Sequence, residues 1–321
     1  MPREQFSIRA PTRIDLGGGW TDVPPYDVEQ GGFVCNVAIS RYATVRVTPL
    51  ADAGAPAELA VARDSDLTLL TAVARKYDAR GARISLSSDF PVAAGLGGSS
   101  AAGVASIAAM FRWQGVTKSR AEIAEASREL EIVEMGIAGG RQDHYAAAFG
   151  GALGIRFEDR VRADPIAIDA SIVAELPRRC IVMYTGESRI SANTITAVMG
   201  AYRANSPAVR GALLNMRELA RQMVPALASG NFDLLGQLVG EQWKHQRSLD
   251  PAIPTALIDG MIEAAMKAGA IGCKALGASG GGCVLMIAGE GRANDVRHAV
   301  KAMGTEITYT VDTTGVTELS R

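Results

Sequence analysis

Apolar and polar positions along this chain fall into two rhythms. Short β-rich runs dominate the start: "FSIRA" at residues 6–10, "GFVCNVAI" at 32–39 and "ATVRVTPL" at 43–50, then "ARISLSS" at 82–88. Their apolar and β-branched content, set between turn formers, predicts strands. A helix is predicted around residues 67–77. Another is predicted to begin at Ser119, where Glu122 completes a capping-box pattern and Ile123, Ala126, Leu130 and Val133 repeat at helical spacing. "ALGIRF" and "RCIVMYT" read as strands on either side of a polar stretch, residues 158–177, where a domain boundary is expected. The two domains would be residues 1–175 and 176–321. Ser206 and Pro207 predict the start of a long helix, with Val209, Leu213, Met216, Leu219 and Met223 as its core stripe. Helices near residues 233–248 and 255–268 follow, then the strand "CVLMIA", a helix and the strand "EITYTVD". No internal repeat is present. The mixed order predicts an α+β fold of two domains rather than a regular βαβ array.

Residues 90–111 carry no charge, and residues 91–110 hold four glycines and three serines. The run is long enough to suggest a membrane span, which needs about 20 apolar residues. Pro91 and the glycine-serine cluster break its first half, so residues 99–111 are expected to form a buried helix, apolar all round.

The composition narrows the picture. The chain has 321 residues, 48% of them hydrophobic, with 33 basic and 34 acidic side chains. No basic excess points to nucleic acid or a membrane surface. Cys35, Cys180, Cys273 and Cys283 form no CxxC pair, and His144, His245 and His298 are scattered, which argues against structural zinc and for buried thiols in a reducing cytosol. The N-terminal stretch lacks an apolar signal-peptide core, so a cytoplasmic location is expected.

The loop "GLGGSS", residues 95–100, has the chemistry of a phosphate cradle. Its glycines permit close backbone approach and positive φ. Successive N–H groups and the N-terminus of the following helix can converge on an anion. The loop lacks the lysine of a P-loop, and it sits far from the position of a Rossmann turn. A glycine-rich turn before a packed helix is the plain alternative.

Three further segments decide between these. "APTRIDLGGGWTDVPPY" lies at residues 10–26, "GGRQDHYAAAFGG" at 139–151 and "KALGASGGGC" at 274–283. Together with the glycine loop they resemble the signature segments of the GHMP kinases. The resemblance implies a two-domain α+β fold with the active site in the cleft between domains, ATP as phosphoryl donor and magnesium as cofactor. It assigns Gly95, Leu96, Gly97, Gly98, Ser99, Ser100 and Ala101 to the ATP-phosphate loop, with Gly98 standing where the family usually has serine. Asp143 matches the aspartate placed beside the acceptor hydroxyl, and Arg13 the arginine of the first motif. Ser99 and Glu131 are the implied magnesium ligands, with Glu134 competing. Gly277, Gly280, Gly281 and Gly282 match the third motif, which Ser279 interrupts.

On the sugar side, Asp22 matches an aspartate that contacts sugar hydroxyls. Gly19 and Trp20 stand where the galactokinase motif has a glutamate and a histidine, so Gly19 is expected to leave room. The finer resemblance is to D-glycero-D-manno-heptose 7-phosphate kinases, through "QDHYAAAFGG", and to L-fucokinases, through Trp20. A distal phosphate would need a cation, and Arg189, Arg141, Lys244 and Arg247 are the candidates. The expected partners are ATP and a small sugar or sugar phosphate, with no nucleic acid and no membrane, in a monomer or homodimer. A catalytically inert nucleotide or sugar sensor is the alternative outside enzymes; the joint presence of Arg13, Ser99, Glu131 and Asp143 argues against it.

Overall fold

The structure is a computed structural model and describes residues 4–61, 67–136, 139–187 and 191–320. Its first half is laid down by one very long strand. β1 (Phe6–Gly17) and α1 (Tyr26–Gln30) lead into β2 (Gly32–Pro49), which runs antiparallel along nearly the whole of β1. The two runs expected at residues 32–39 and 43–50 are therefore one strand. The polar residues between them, Ser40 and Arg41, occupy an irregularity in the register, where Thr12 faces Ile39 and Pro11 faces Tyr42. Ladder hydrogen bonds on either side carry the strand through a stretch that its polarity alone would break.

β3 (Glu58–Val61), α2 (Thr68–Lys76) and β4 (Ala82–Ser88) follow, then α3 (Gly98–Gln114), α4 (Arg120–Glu129) and a π-helical turn, Leu130–Glu134. α5 (Gln142–Phe149), β5 (Ala152–Phe157) and β6 (Val161–Pro165) complete this part. β2 is wide enough to hold β5 on residues 32–37 and β4 on residues 43–49, both antiparallel. α3 is buried all round over residues 100–110, as the lack of charge there predicts, and packs on β1 and β2. Among the described residues no helix is long and apolar enough to cross a membrane. The capping box at Ser119 is present, but Val133 is 69% exposed. The π turn ends the α-helical repeat before that residue and takes it off the core face.

The polar stretch before residue 177 is no bare linker. It holds β6 and α6 (Ala170–Arg179), whose N-cap Asp169 accepts from the amides of Ser171 and Ile172. Its polarity is that of elements with one wet face. Beyond it lie β7 (Cys180–Tyr184), α7 (Ser191–Arg203), α8 (Pro207–Ala228), α9 (Phe232–Arg247), α10 (Ala256–Lys267), β8 (Ala270–Ala275), β9 (Cys283–Ala288), α11 (Ala293–Val300), β10 (Thr305–Glu306) and β11 (Thr317–Glu318). β10, β7, β9 and β8 form a second, antiparallel sheet. The expected strand "EITYTVD" keeps only its start in that sheet. The Ile307 amide still donates to Val182 of β7, and beyond it the chain crosses to the first sheet: the Ser40 amide donates to Thr310 and the Asp312 amide to Ala38. β11 then pairs with β1. A core cluster containing Ile14, Phe33, Leu176, Val182, Met223 and Leu285 lies between the sheets, and all four cysteines are buried free thiols.

Candidate active site

The loop between β4 and α3 is built on contacts that only glycine allows. Gly95 and Gly97 have φ of 76° and 75°, in the left-handed region. A Cβ on Gly95 would lie 2.6 Å from the Leu276 carbonyl oxygen, and one on Gly97 2.9 Å from Cγ of Asp143. Gly98, in the place where serine is usual, meets a different limit: its Cβ would fall 2.3 Å from Cε2 of Phe90. A ring has taken the space of a side chain. Gly97 caps α3 without a side-chain acceptor, so the first-turn amides, including those of Ser99 and Ser100, have no helical partner. Seventeen residues of helix aim their dipole at the same point. Leu96 and Ala101 are buried and hold this turn in place.

Arg13 on β1 reaches the loop and α5 together. Its Nε and Nη2 donate to Oδ1 of Asp143 at 2.8 and 2.7 Å, and its Nη1 donates to the Gly95 carbonyl at 2.7 Å. The Arg13 amide also donates to the Leu96 carbonyl at 3.0 Å. Asp143 sits in the first turn of α5 and keeps 24% of its side chain exposed. Burial pushes its carboxyl above the usual range, and the Arg13 guanidinium pulls against that rise.

Glu131, in the π turn, faces the start of α3. Its Oε1 accepts from Ser99 Oγ at 3.0 Å, and its Oε2 lies 2.8 Å from Nε2 of the buried His144. Nδ1 of His144 lies 3.0 Å from Ser127 Oγ, which fixes the ring from its other side. Burial alone would raise the Glu131 carboxyl, but the bonds from His144 and Ser99 hold it below the usual range. Glu134 turns away and pairs with Arg75 at 2.7 Å. Ser99 and Glu131 thus offer two hard oxygens beside the loop. Among the described residues no group of three or more His, Cys, Asp or Glu could cage a metal. Two protein oxygens completed by phosphate and water suit magnesium, which dehydrates reluctantly.

The glycine loop, Arg13, Asp143, Ser99 and Glu131 line one cleft of 580 Å³, shared with Asp15, Gly19, Trp20, Asp22, Gln142 and Ile195 and with the apolar Leu69, Leu86, Phe90 and Met135. Asp22 is 2% exposed and accepts from the Gln142 amide at 3.0 Å. Burial first, then the charges of Asp143 and Asp15, push its carboxyl up to about 7. Trp20 is 5% exposed and holds φ 81°. Gly19 does not simply leave room: a Cβ there would lie 2.4 Å from Asp15 Oδ2, so the aspartate fills the space. Gly281 lines the cleft, whereas the Gly280 amide donates to the Ile253 carbonyl behind the loop. Ser279 adopts φ 66°, and its Oγ accepts from Gln246 Nε2 at 3.1 Å.

The candidate phosphate-binding cations fare differently. Arg141 pairs with Asp27 at 3.2 Å. Lys244 pairs with Glu241 and Arg247 with Asp259 on exposed faces of α9. None of the three lines the cleft. Arg189 lies outside the described residues.

The sequence pattern of the GHMP kinases N terminal domain matches residues 66–151, and that of the GHMP kinases C terminal matches residues 223–306. The chain belongs to the GHMP kinases. It is 24% identical over 330 residues to a bifunctional fucokinase/GDP-fucose pyrophosphorylase of Arabidopsis thaliana, an alignment that covers 92% of this chain and 31% of the relative. It thus spans about a third of the length of that relative. A D-glycero-alpha-D-manno-heptose 7-phosphate kinase of Campylobacter jejuni is 27% identical over 295 residues, 85% of this chain and 86% of the relative. Among solved structures, a D-glycero-D-manno-heptose 1-phosphate kinase from Bacteroides thetaiotaomicron superposes with a TM-score of 0.77 at 23% identity, over 98% of this chain and 99% of that one.

Three side chains of this GHMP kinase site escape the motif reading. Asp15 and Lys274 form a buried ion pair at 2.7 Å, across 259 residues of chain. His144 appears in sequence only as a neighbour of Asp143, yet it holds Glu131. Lys274 carried one signal, a charged residue in the strand "IGCKAL" whose neighbours are all small or apolar.

Proposed function

We propose that this GHMP kinase transfers phosphate from ATP to the anomeric hydroxyl of a sugar or sugar phosphate, with D-glycero-D-manno-heptose 7-phosphate as its first candidate substrate. Residues 1–175 and 176–321 are read as its two domains, a division supported by the two sheets, with the last strand returning to the first. The observation that carries the proposal is the Arg13–Asp143 pair at the mouth of the glycine loop. Phosphoryl transfer needs the donor phosphates fixed, the acceptor oxygen held in line and a place for its proton. The amides of the glycine loop and the first turn of α3 bind phosphate oxygens. Arg13 engages Oδ1 of Asp143, which leaves Oδ2 to orient the acceptor hydroxyl and take its proton. Ser99 and Glu131 would hold magnesium, which when bound offsets phosphate charge.

A second reading, a free sugar of the L-fucose kind, is favoured by one observation. Among the described lining residues Arg13 is the sole Lys or Arg, and it is engaged by Asp143 and Gly95. Trp20, Val23 and Ile195 add an apolar wall suited to a deoxy carbon. The heptose phosphate reading then rests on Arg189 as the distal cation. A coupled ADP-release screen over free hexoses, L-fucose and heptose phosphates separates the two. Turnover of the heptose phosphate that Arg189→Ala weakens supports the first; preference for free L-fucose supports the second. Nucleotide binding without ADP release on any sugar would favour a sensor.

A further inference from the structure

Two buried polar atoms among the described residues that line the cleft have no hydrogen-bond partner: Oδ1 of Asp15 and Nε1 of Trp20. One is an acceptor and the other a donor. Asp15 is 3% exposed and Trp20 5% exposed, so neither atom is satisfied by open solvent. Buried polar groups are rarely left orphaned, because each costs free energy until a partner arrives.

The Asp15 carboxylate is otherwise tightly held. Lys274 Nζ donates to its Oδ2 at 2.7 Å and to its backbone oxygen at 3.0 Å. Lys274 lies on β8 and Asp15 on β1, so the pair bridges the two sheets. A purely structural clamp needs only that one carboxylate oxygen. The second oxygen is left over, in the same cleft as Asp22 and Asp143, both of which feel its charge. We infer that Asp15, fixed by Lys274, and Trp20 form a hydroxyl-recognition pair, with Asp15 Oδ1 accepting from and Trp20 Nε1 donating to non-reacting hydroxyls of the sugar. Asp15 is a specificity-determining residue, and Lys274 is its positioning residue. This rests on the proposed sugar-kinase reading.

Asp15→Asn alone would strand a buried ammonium and risks misfolding. The test therefore uses the double variant Asp15→Leu/Lys274→Met, which removes both charges and the accepting oxygen, alongside Trp20→Phe. Each is assayed with the accepted sugar and its monodeoxy analogues, sparing C1. Loss of a hydroxyl bonded to a charged group should cost wild type roughly 10- to 100-fold in kcat/KM. The double variant should show a loss of that size on the parent sugar and no further loss on one particular deoxy analogue. Trp20→Phe should likewise be blind to the loss of one hydroxyl. The KM for ATP should stay within about twofold, which a merely structural defect would not permit. Equal penalties on every analogue in both folded variants would overturn the inference. If wild type releases no ADP with any sugar, the kinase reading fails by itself. Calorimetric binding of the same deoxy panel then still decides the hydroxyl pair, by whether a deletion weakens wild type and leaves the variants unaffected.

Discussion

Glu131 and Glu134 lie three residues apart, and the motif offset alone leaves them in competition. The structure separates them by contacts: Glu131 touches Ser99 and His144, while Glu134 pairs with Arg75. Glu131→Gln should raise severalfold the magnesium concentration needed for half-maximal rate, and Glu134→Gln should leave it unchanged. A magnesium titration of both variants checks this. Asp22 gives a second residue-scale prediction. Its folded carboxyl is raised to about 7 from 3.8, so the folded state holds a proton that the unfolded state has lost between those values. Stability from this group is therefore greatest at the acid end and declines as pH rises through about 7, by a total on the order of a few kcal/mol. Asp22→Asn keeps an acceptor for the Gln142 amide and removes the titration. The Tm difference between Asp22→Asn and the unmodified protein should widen in favour of the variant from pH 5 to pH 8; a constant difference would contradict the cause assigned here.

Elements were legible where their signals are local. The capping box at Ser119, the Ser206–Pro207 start of α8 and the buried helix α3 all follow from neighbours within a few residues. What escaped was set by distant partners. β2 is continuous because β1 runs beside it, the tail after Ile307 leaves its sheet for the first one, and the π turn shifts Val133 off the core face. At the glycine loop the sequence supplied the anion chemistry, but the reason for Gly98 lies in Phe90, eight residues earlier and folded over it. Gly98→Ala should raise the KM for ATP, despite alanine's better helix propensity. The same change in a Phe90→Ala background should raise it much less, relative to Phe90→Ala alone. A four-point cycle of ATP KM values measures that coupling, and additive effects would show that the ring is not the constraint.

Across the whole molecule, the site is assembled where the two sheets meet. Arg13, Asp15 and Trp20 come from the first motif, Asp143 and His144 from α5, Ser99 from α3, and Lys274 and Gly281 from the far end of the chain. The motif residues were readable one by one. The Asp15–Lys274 partnership was not, because its two residues lie 259 apart in the chain. The chemistry proposed for this arrangement depends on Asp143 more than on any other group. Asp143→Asn is nearly isosteric and keeps a carbonyl oxygen for Arg13, while removing the charge that takes the acceptor proton. The most direct measurement is the initial rate of ADP release by wild type and Asp143→Asn on the accepted sugar at saturating ATP. The account predicts a fall in kcat of roughly 10²–10⁴-fold, with nucleotide affinity little changed and the wild-type product phosphorylated at C1. A folded Asp143→Asn protein that turns over at the wild-type rate would contradict it.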